Sequence, residues 1–194
     1  GIAGRYYARN DGEDDAVAAA IEQHYWPLHA GAALPEDPVA TTVALADRLD
    51  TLVGIFGVGQ PPSGSKDPFA LRRASIAVLR ILIEKHLDLD LRHGLTMAAD
   101  GFPSGVLDDG AVDAVIDYML DRLPALYENA GMPIEVFRAV RATGCTVPQD
   151  FDRRLRAVQT FRARPEAEAL AAANKRVGNI LARAEQRPDA GKVS

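Results

Sequence analysis

Cysteine is almost missing from this sequence: Cys145 stands alone among 194 residues, so the chain cannot form an internal disulfide. Long apolar runs are missing too. No stretch approaches the roughly 20 residues of a transmembrane helix, and GIAGRYYARN at the start lacks the apolar segment of a signal peptide. These absences predict a cytoplasmic protein with no membrane partner. Gly1 stands where a starting Met would, which predicts a fragment or a processed piece.

Strand-like alternation of polar and apolar residues is also not found, and apolar residues recur instead at helical spacing. The chain is 47% hydrophobic and 25% charged, a composition typical of a globular protein, and it is long enough to bury a core. The predicted fold class is therefore all-α, a helical bundle.

Capping residues and prolines suggest where these helices begin and end. A first helix is predicted from Asp14 to Trp26 and a second from Pro38 to Val58. Asp67 as N-cap and Pro68 as first helical residue predict the start of a third, which should be the most buried. The stretch LRHGLTMAADGFPSG after it is predicted to be looser. Further helices are predicted at Ala111–Asn129, Ile134–Thr143, Asp150–Ala163 and Pro165–Gln186.

Charge is unevenly spread along the chain, which carries a net −5. Residues 151–194 hold ten Lys/Arg against five Asp/Glu, a net of +5, which leaves a net of −10 for residues 1–150. A basic C-terminal quarter can contact phosphates although the total is acidic, but solvated arginine-rich helices are the simpler interpretation of charge alone. The candidate phosphate contacts are Arg153, Arg154, Arg156, Arg162, Arg164, Lys175, Arg176 and Arg183.

The loop GQPPSGSKDP nearly spells the phosphate-binding P-loop, Gly-x4-Gly-Lys-Ser/Thr, but its serine and lysine stand in reverse order. A helix rather than a strand is predicted before it, and Pro61 and Pro62 remove two backbone donors that a phosphate would need. We interpret the likeness as accidental and the loop as a break between two helices.

Asp47, Asp50, Thr51 and Gly54 share one face of the second predicted helix. A solvated stripe is the plain interpretation. The segment LADRLD is also similar to the last metal-binding helix of HD-domain phosphohydrolases, where Asp47 would be the matching carboxylate. The chain has no His-Asp dipeptide and no other catalytic constellation, so we predict no metal and no catalytic residue in it. Either the missing ligands lie upstream of Gly1, or this is an HD fold without its chemistry.

Several longer blocks, taken together, resemble the β subunit of bacterial glycyl-tRNA synthetase. They are GRYYA, DGEDDAVAAAIEQHYWPLHAGAALP, ALADRLDTLVGIFGVGQPPSGSKDPFALRRA and FRARPEAEALAAANKRVGNIL. Their order matches the family's order, and the resemblance covers essentially the whole chain. It is strongest over residues 4–87 and 148–183.

The resemblance implies an HD-like helical portion followed by the start of a DALR-type anticodon-binding helical domain. Residues 1–100 would be the end of the HD-like domain, including the KDPFALRR helix. Residues 101–147 would be a helical linker region, and residues 148–194 would begin the anticodon-binding domain.

The family enzyme joins glycine to its tRNA, uses ATP and magnesium, and consists of two α and two β chains. The resemblance implies a tRNA-interacting part of the β subunit that is not catalytic by itself and holds no cofactor of its own. Its implied partners are tRNA-Gly and the α subunit. An HD-type metal-dependent phosphohydrolase fragment and a purely structural scaffold for subunit assembly remain as alternatives.

The block KDPFALRR, from Lys66 to Arg73, is a hallmark of this family. Asp67 is predicted to cap the third helix and Phe69 to fill the core. Together with the Asp47 face, this block would be a structural or vestigial part of the metal-type motif.

Arg72 and Arg73 of that block need either carboxylates or phosphates as partners. A buried network with Asp47 and Asp50 is favoured over direct tRNA contact, because arginine pairs bidentately with carboxylates and can tie two helices together.

Overall fold

The computed structural model describes residues 1–127 and 131–183, and the regular structure of this part is helical. No strand occurs in it, since β-pairing there is limited to one isolated bridge between Ser63 and Lys66. The predicted all-α class is confirmed. The described helices are α1 (Ile2–Asn10), α2 (Asp15–Gln23), α3 (Pro38–Gly57), α4 (Leu71–Glu84), α5 (Leu91–Ala99), α6 (Ala111–Leu120), α7 (Leu123–Leu126), α8 (Ile134–Arg141), α9 (Pro148–Arg162) and α10 (Pro165–Arg183).

The first predicted helix corresponds to α2, while α1 was not predicted. Asp14 is the N-cap of α2 and accepts a hydrogen bond from the backbone N–H of Ala16 at 2.8 Å. The helix ends at Gln23 rather than Trp26 because Pro27 follows, and the residue before a proline is disfavoured in helical geometry.

Helix α3 lies at the centre of the fold and packs against α2, α4, α5 and α6. It begins at Pro38 behind the N-cap Asp37, whose carboxylate accepts from the N–H of Val39 at 2.7 Å. It ends at Gly57, one residue before the predicted end. Its buried stripe includes Leu45, Leu49, Leu52 and Val53 at the predicted spacing.

Helix α4 begins at Leu71, three residues after Pro68, the predicted first helical residue. Ala70 has a left-handed backbone (φ 56°), so a continuous helix cannot run from Asp67. Asp67 still caps the helix, because its two carboxylate oxygens accept from the N–H groups of Leu71 at 2.8 Å and Arg72 at 3.0 Å. Phe69 lies in the turn before α4 and is 45% exposed, so the prediction that it fills the core was wrong.

The segment predicted to be looser contains helix α5. Asp90 caps it by accepting from the N–H of Arg92 at 2.7 Å, and Leu91 and Leu95 are buried four residues apart. Gly94 lies within this helix although glycine lowers helix propensity. It sits where a Cβ would come within 3.2 Å of the Leu49 side chain, so its small size allows α5 to approach α3 closely.

The later predicted helices are found with shifted ends. The one predicted at Ala111–Asn129 is divided into α6 and α7, and Asn129 lies outside the described residues. Helices α8 and α9 match their predictions to within two residues at each end. Helix α10 begins at Pro165 as predicted, and the predicted residues 184–186 lie outside the described part.

One hydrophobic core runs from α3 to α9, and the division of the chain at residues 100 and 147 stays a prediction. The core holds completely buried large side chains, each of which contributes roughly 1.5–3 kcal/mol; among them are Leu52, Leu79, Met119, Phe151 and Leu155. Helix α10 directly follows α9 and contacts it, but the described side chains from 168 to 182 are exposed. No helix of the described part is both long and apolar enough to cross a membrane.

Candidate nucleic-acid interface

The carboxylates of Asp47 and Asp50 lie on the exposed face of α3, as the solvated-stripe interpretation predicted. The buried network with Arg72 and Arg73 is not formed. The Arg72 guanidinium donates to the backbone carbonyl oxygens of Gly64 and Ser65, and no ion pair of the described residues joins either arginine to α3. The reason is the late start of α4, which leaves Arg72 beside the preceding loop.

Asp47 and Arg73 instead line one open pocket of about 430 Å³ between α3, the segment after α2 and the start of α4. Tyr25, Thr51 and Phe69 line it as well. Both aromatic residues are large and exposed, at 52% for Tyr25 and 45% for Phe69. The two parts of the family-like sequence, LADRLD and KDPFALRR, therefore meet across this pocket.

Arg48 forms the floor of this pocket and was not predicted from the sequence. Its side chain is buried, with Nη1 donating to the carbonyl oxygens of His24 at 2.6 Å and Ala44 at 2.9 Å. Nη2 donates to the carbonyl oxygens of Tyr25 at 2.9 Å and Trp26 at 3.0 Å. Burial lowers the pKa of this guanidinium, although Asp47 nearby acts in the opposite direction.

A metal centre of the HD type does not fit the residues around Asp47. Within residues 1–127 and 131–183, His, Cys, Asp and Glu form no group of three that could hold a metal ion. His24 lies at the end of α2, where its Nδ1 contacts the carbonyl oxygen of Ala20 at 2.9 Å and its ring packs on Tyr25. His24 therefore has a packing role at the end of this helix.

The P-loop-like segment uses its backbone groups internally. The N–H of Ser63 donates to the carbonyl oxygen of Lys66 at 3.2 Å, and the N–H of Lys66 donates back to Ser63 at 2.9 Å. The Lys66 side chain is exposed. Because two of its donors are already engaged and α3 precedes it, the segment is not built to cradle phosphates.

Three of the predicted phosphate contacts lie on α9 and are paired with carboxylates of the same helix. Arg153 and Arg154 contact Asp150 at 3.3 and 2.7 Å, and Arg156 contacts Asp152 at 2.8 Å. The hydrogen bond from Arg154 holds the pKa of the Asp150 carboxyl below its usual value. These three guanidiniums therefore carry partly neutralised charge.

The other predicted contacts lie beyond these pairs. Arg162 ends α9, Arg164 precedes α10, and Lys175 and Arg176 follow about 15 Å further along α10 at 1.5 Å per residue. All four side chains are exposed, and none makes an ion pair with another described residue. Arg183 is the last described residue of α10.

Helix α10 is amphipathic although it lies apart from the core. Leu170, Val177 and Leu181 recur at spacings of seven and four residues and so share one face. At 100° per residue, Lys175 and Arg176 lie roughly 100–160° away from these three residues, outside the apolar face. Helix α10 can thus turn an apolar face to protein and a basic face to a polyanion at the same time.

Cys145 is a poor nucleophile in this setting. Its thiol is half-buried, and burial raises its pKa, so little thiolate forms at neutral pH. Its Sγ lies 3.5 Å from a carboxylate oxygen of Asp150.

Comparison with known proteins assigns the chain to a class of proteins, the subunits of aminoacyl-tRNA synthetases. The sequence model of the family described as "Glycyl-tRNA synthetase beta subunit" matches residues 1–142. The chain belongs to the glycyl-tRNA synthetase beta subunit family, and the resemblance stated above is confirmed. The matched range contains the Asp47 pocket, and α9 and α10 lie beyond it.

Curated relatives are similar over nearly the whole chain. The chain is 56% identical over 185 residues to the glycine–tRNA ligase beta subunit of Ectopseudomonas mendocina (strain ymp) and 55% identical to that of Pseudomonas aeruginosa (strain LESB58). The match to the Pseudomonas fluorescens (strain SBW25) protein is 52%. Each alignment covers 95% of this chain, and the chain spans 27% of the length of these relatives.

Proposed function

We propose that this chain is a tRNA-interacting, non-catalytic part of a glycine–tRNA ligase beta subunit. The whole enzyme would join glycine to tRNA-Gly in the cytoplasm with ATP and magnesium, together with its α subunit, and this chain would hold no cofactor itself. The observation that carries the proposal is the group of exposed cations on α9 and α10 in a chain of this family.

The four cations without a described ion pair are the main phosphate contacts in this proposal; they are Arg162, Arg164, Lys175 and Arg176. A cation without a carboxylate partner breaks no ion pair when it contacts a phosphate. Its electrostatic attraction to the phosphate is therefore not offset by the loss of an existing pair. Each phosphate neutralised on duplex RNA should add about 0.9 to the log–log salt slope, by analogy with duplex DNA. The arginines paired to Asp150 and Asp152 contribute less, because their carboxylates compete with the phosphates.

The assembly scaffold is a second candidate function, and the apolar face of α10 favours it. Leu170 is 59% exposed and Val177 is 54% exposed, which is unusual for large apolar side chains on the same helix face. Retention of the α subunit in a pulldown, lost in a Leu170→Ser/Val177→Ser variant that still binds tRNA, would assign this face to assembly.

The test of tRNA binding is a filter-binding titration with tRNA-Gly at several salt concentrations. One variant replaces the four unpaired cations by Gln. The control replaces Lys66 and Arg138 by Gln, two exposed cations elsewhere that also form no ion pair among the described residues, and an Arg162→Gln/Arg164→Gln variant matches it in net charge.

We expect weaker binding and a shallower salt dependence for the α9–α10 variant than for the control, with a slope difference of about 3–4. Equal losses of tRNA affinity in the two charge-matched variants would show that overall charge governs binding, and this would contradict the proposed interface. Absence of tRNA binding by the unmodified chain would overturn the proposed function itself.

A further inference from the structure

We propose that the pocket between α3, the segment after α2 and the start of α4 binds one unpaired nucleotide of an RNA strand. The proposal rests on the proposed function, because tRNA would supply the strand. This pocket is a different site from the cations of α9 and α10, which would contact phosphates only. Its chemistry is carried by Tyr25, Asp47, Phe69 and Arg73, which line the pocket together.

Two exposed aromatic rings provide stacking surfaces for a base. Tyr25 and Phe69 come from different segments yet line the same pocket, and about half of each side chain is open to solvent. The left-handed Ala70 and the turn closed by the N–H of Ala70 donating to Asp67 at 3.2 Å keep Phe69 out of the core. Exposed aromatic rings in a pocket are what unpaired bases stack upon, and stacking tolerates any base.

One cation in the pocket matches the single charge of a phosphodiester. Arg73 lies in the first turn of α4, is exposed, and forms no ion pair within the described residues. Arg48 is not free to act, since its guanidinium already donates to four backbone carbonyls. Asp67 occupies the first N–H groups of α4, so the helix end does not bind phosphate in place of Arg73. A nucleoside triphosphate would bring more negative charge than one arginine balances.

Asp47 gives the pocket a preference among bases. An ionised carboxylate only accepts hydrogen bonds, and the exocyclic amino groups of cytosine, adenine and guanine donate them. Uracil carries carbonyl oxygens at those positions, which a carboxylate repels. The pocket should therefore prefer nucleotides with an amino group over uridine.

The pocket has the size and rigidity that such a role requires. Its volume of about 430 Å³ lies within the range of small-ligand sites and suits one nucleotide. Arg48 fixes the Tyr25 wall to α3 through three hydrogen bonds, to the carbonyl oxygens of His24, Tyr25 and Trp26, so the aromatic surface is formed before a ligand arrives. Preformed walls reduce the entropy lost on binding.

The experiment measures fluorescence anisotropy of labelled six-nucleotide RNAs, rC6, rA6 and rU6, with a blunt RNA duplex for comparison. Three variants of the chain test the pocket: Phe69→Ala, Arg73→Gln and Asp47→Asn. Their matched controls are Tyr7→Ala, Arg138→Gln and Asp88→Asn, which change exposed residues of the same kind elsewhere. Thermal melting by circular dichroism accompanies each variant, and only variants that melt like the unmodified chain are compared.

We expect rC6 and rA6 to bind at least about fivefold more tightly than rU6, and more tightly than the duplex. Phe69→Ala should weaken rC6 binding about fivefold or more without changing its salt slope, because stacking carries no charge. Arg73→Gln should reduce the salt slope by about 0.7, the value for one phosphate of a single strand. Asp47→Asn should remove the preference over rU6, and the controls should bind like the unmodified chain.

Losses of the same size in the controls, or unchanged binding in the pocket variants, would overturn the nucleotide pocket. Displacement of rC6 by ATP at equal concentration would also overturn it, in favour of a free-nucleotide site. The pocket can fail while the proposed function stands: loss of tRNA binding in the α9–α10 variant, together with rC6 binding by Phe69→Ala and Arg73→Gln like that of the unmodified chain, would remove only the pocket.

Discussion

Nη2 of Arg48 donates a hydrogen bond to the backbone carbonyl oxygen of Tyr25 across 2.9 Å, and this bond ties the segment after α2 to the middle of α3. Three further carbonyl oxygens, those of His24, Trp26 and Ala44, accept from the same guanidinium. No carboxylate pairs with it among the described residues, so the backbone alone satisfies this buried cation.

Replacing Arg48 by Met should therefore destabilise the protein strongly. The change keeps the apolar stem but leaves the carbonyl oxygens of His24, Tyr25 and Trp26 without this donor, and it should cost about 2–5 kcal/mol in the free energy of unfolding. Urea denaturation followed by circular dichroism measures this. Arg92→Met is the control, because Arg92 forms only an exposed pair with Asp113 and its loss should cost less than about 1 kcal/mol. Equal urea midpoints for the two variants would contradict a stabilising role of the Arg48 hydrogen bonds.

Asp67 should stabilise α4 although it lies four residues before the helix. Asp67→Ala removes the acceptor of the Leu71 and Arg72 N–H groups and should cost about 0.5–2 kcal/mol, the usual value of a helix cap. Asp67→Asn keeps one acceptor oxygen and should cost less than the alanine variant. The comparison uses thermal melting, with Asp88→Ala as an exposed control. Equal melting temperatures for Asp67→Ala and Asp88→Ala would show that the cap contributes no stability.

Periodicity predicted α3 and the later helices because their apolar residues recur at a spacing that only a helix can bury. The start of α4 could not be predicted, since Asp67-Pro68 is a favourable helix start in sequence and the left-handed Ala70 replaces it only in the folded chain. Helix α5 was missed because Gly94 lowers helix propensity, whereas its contact with Leu49 depends on the packed structure.

The candidate site was predictable in part. The pairs of Asp150 with Arg153 and Arg154 stand three and four residues apart, so the sequence itself contained the signal for neutralised arginines. Arg48 also left a signal, being the one charged residue on the buried stripe of α3. The sequence could not predict that Asp47 and Phe69 line the same pocket, because this depends on how α3 and α4 cross.

Gly57 allows α3 to pack against the segment before α6. A Cβ at this position would lie 2.5 Å from Leu107 Cδ2 and 2.8 Å from Leu107 Cβ, so Gly57→Ala should overpack the contact and cost about 1–3 kcal/mol. Gly178→Ala in α10 is the opposite case, because a Cβ there would meet no atom within 4 Å apart from its chain neighbours and the nearby backbone of its own helix. That change should instead favour the helix by roughly 0.5–1 kcal/mol. Thermal melting of both variants tests the pair, and a stabilising Gly57→Ala would show that Leu107 moves aside freely.

The stability of the protein should fall at alkaline pH through Tyr127. Its side chain is 7% exposed and its hydroxyl donates to Asp152; burial, and then that carboxylate, raise its pKa above the usual value. The stabilisation by the neutral hydroxyl is full below the unfolded pKa of about 10 and is lost as pH rises through the higher folded pKa.

Tyr127→Phe should therefore lose about 1 kcal/mol at neutral pH, from the missing hydrogen bond, but should lose less stability than the unmodified chain above about pH 10. Urea midpoints across this range measure the difference. Tyr6→Phe, at an exposed position of α1, controls for titration of the other tyrosines. If Tyr127→Phe and the unmodified chain lose the same amount of stability as the pH rises above about 10, Tyr127 is excluded as the cause.

Release of the paired arginines on α9 should strengthen tRNA binding. Asp150→Asn removes the carboxylate that contacts both Arg153 and Arg154, so the two guanidiniums become free to meet phosphates. The salt dependence of tRNA-Gly binding should then steepen by about 0.9 for each phosphate gained. Filter binding at several salt concentrations is the measurement.

The control for this release is Asp113→Asn, which makes the same change in net charge and frees Arg92 between α5 and α6. If the α9–α10 surface contacts tRNA, only Asp150→Asn should steepen the salt slope, because charge freed elsewhere meets no phosphate. Equal gains in the two variants would mean that overall charge governs binding, and the assignment of tRNA contact to α9 and α10 would then fall.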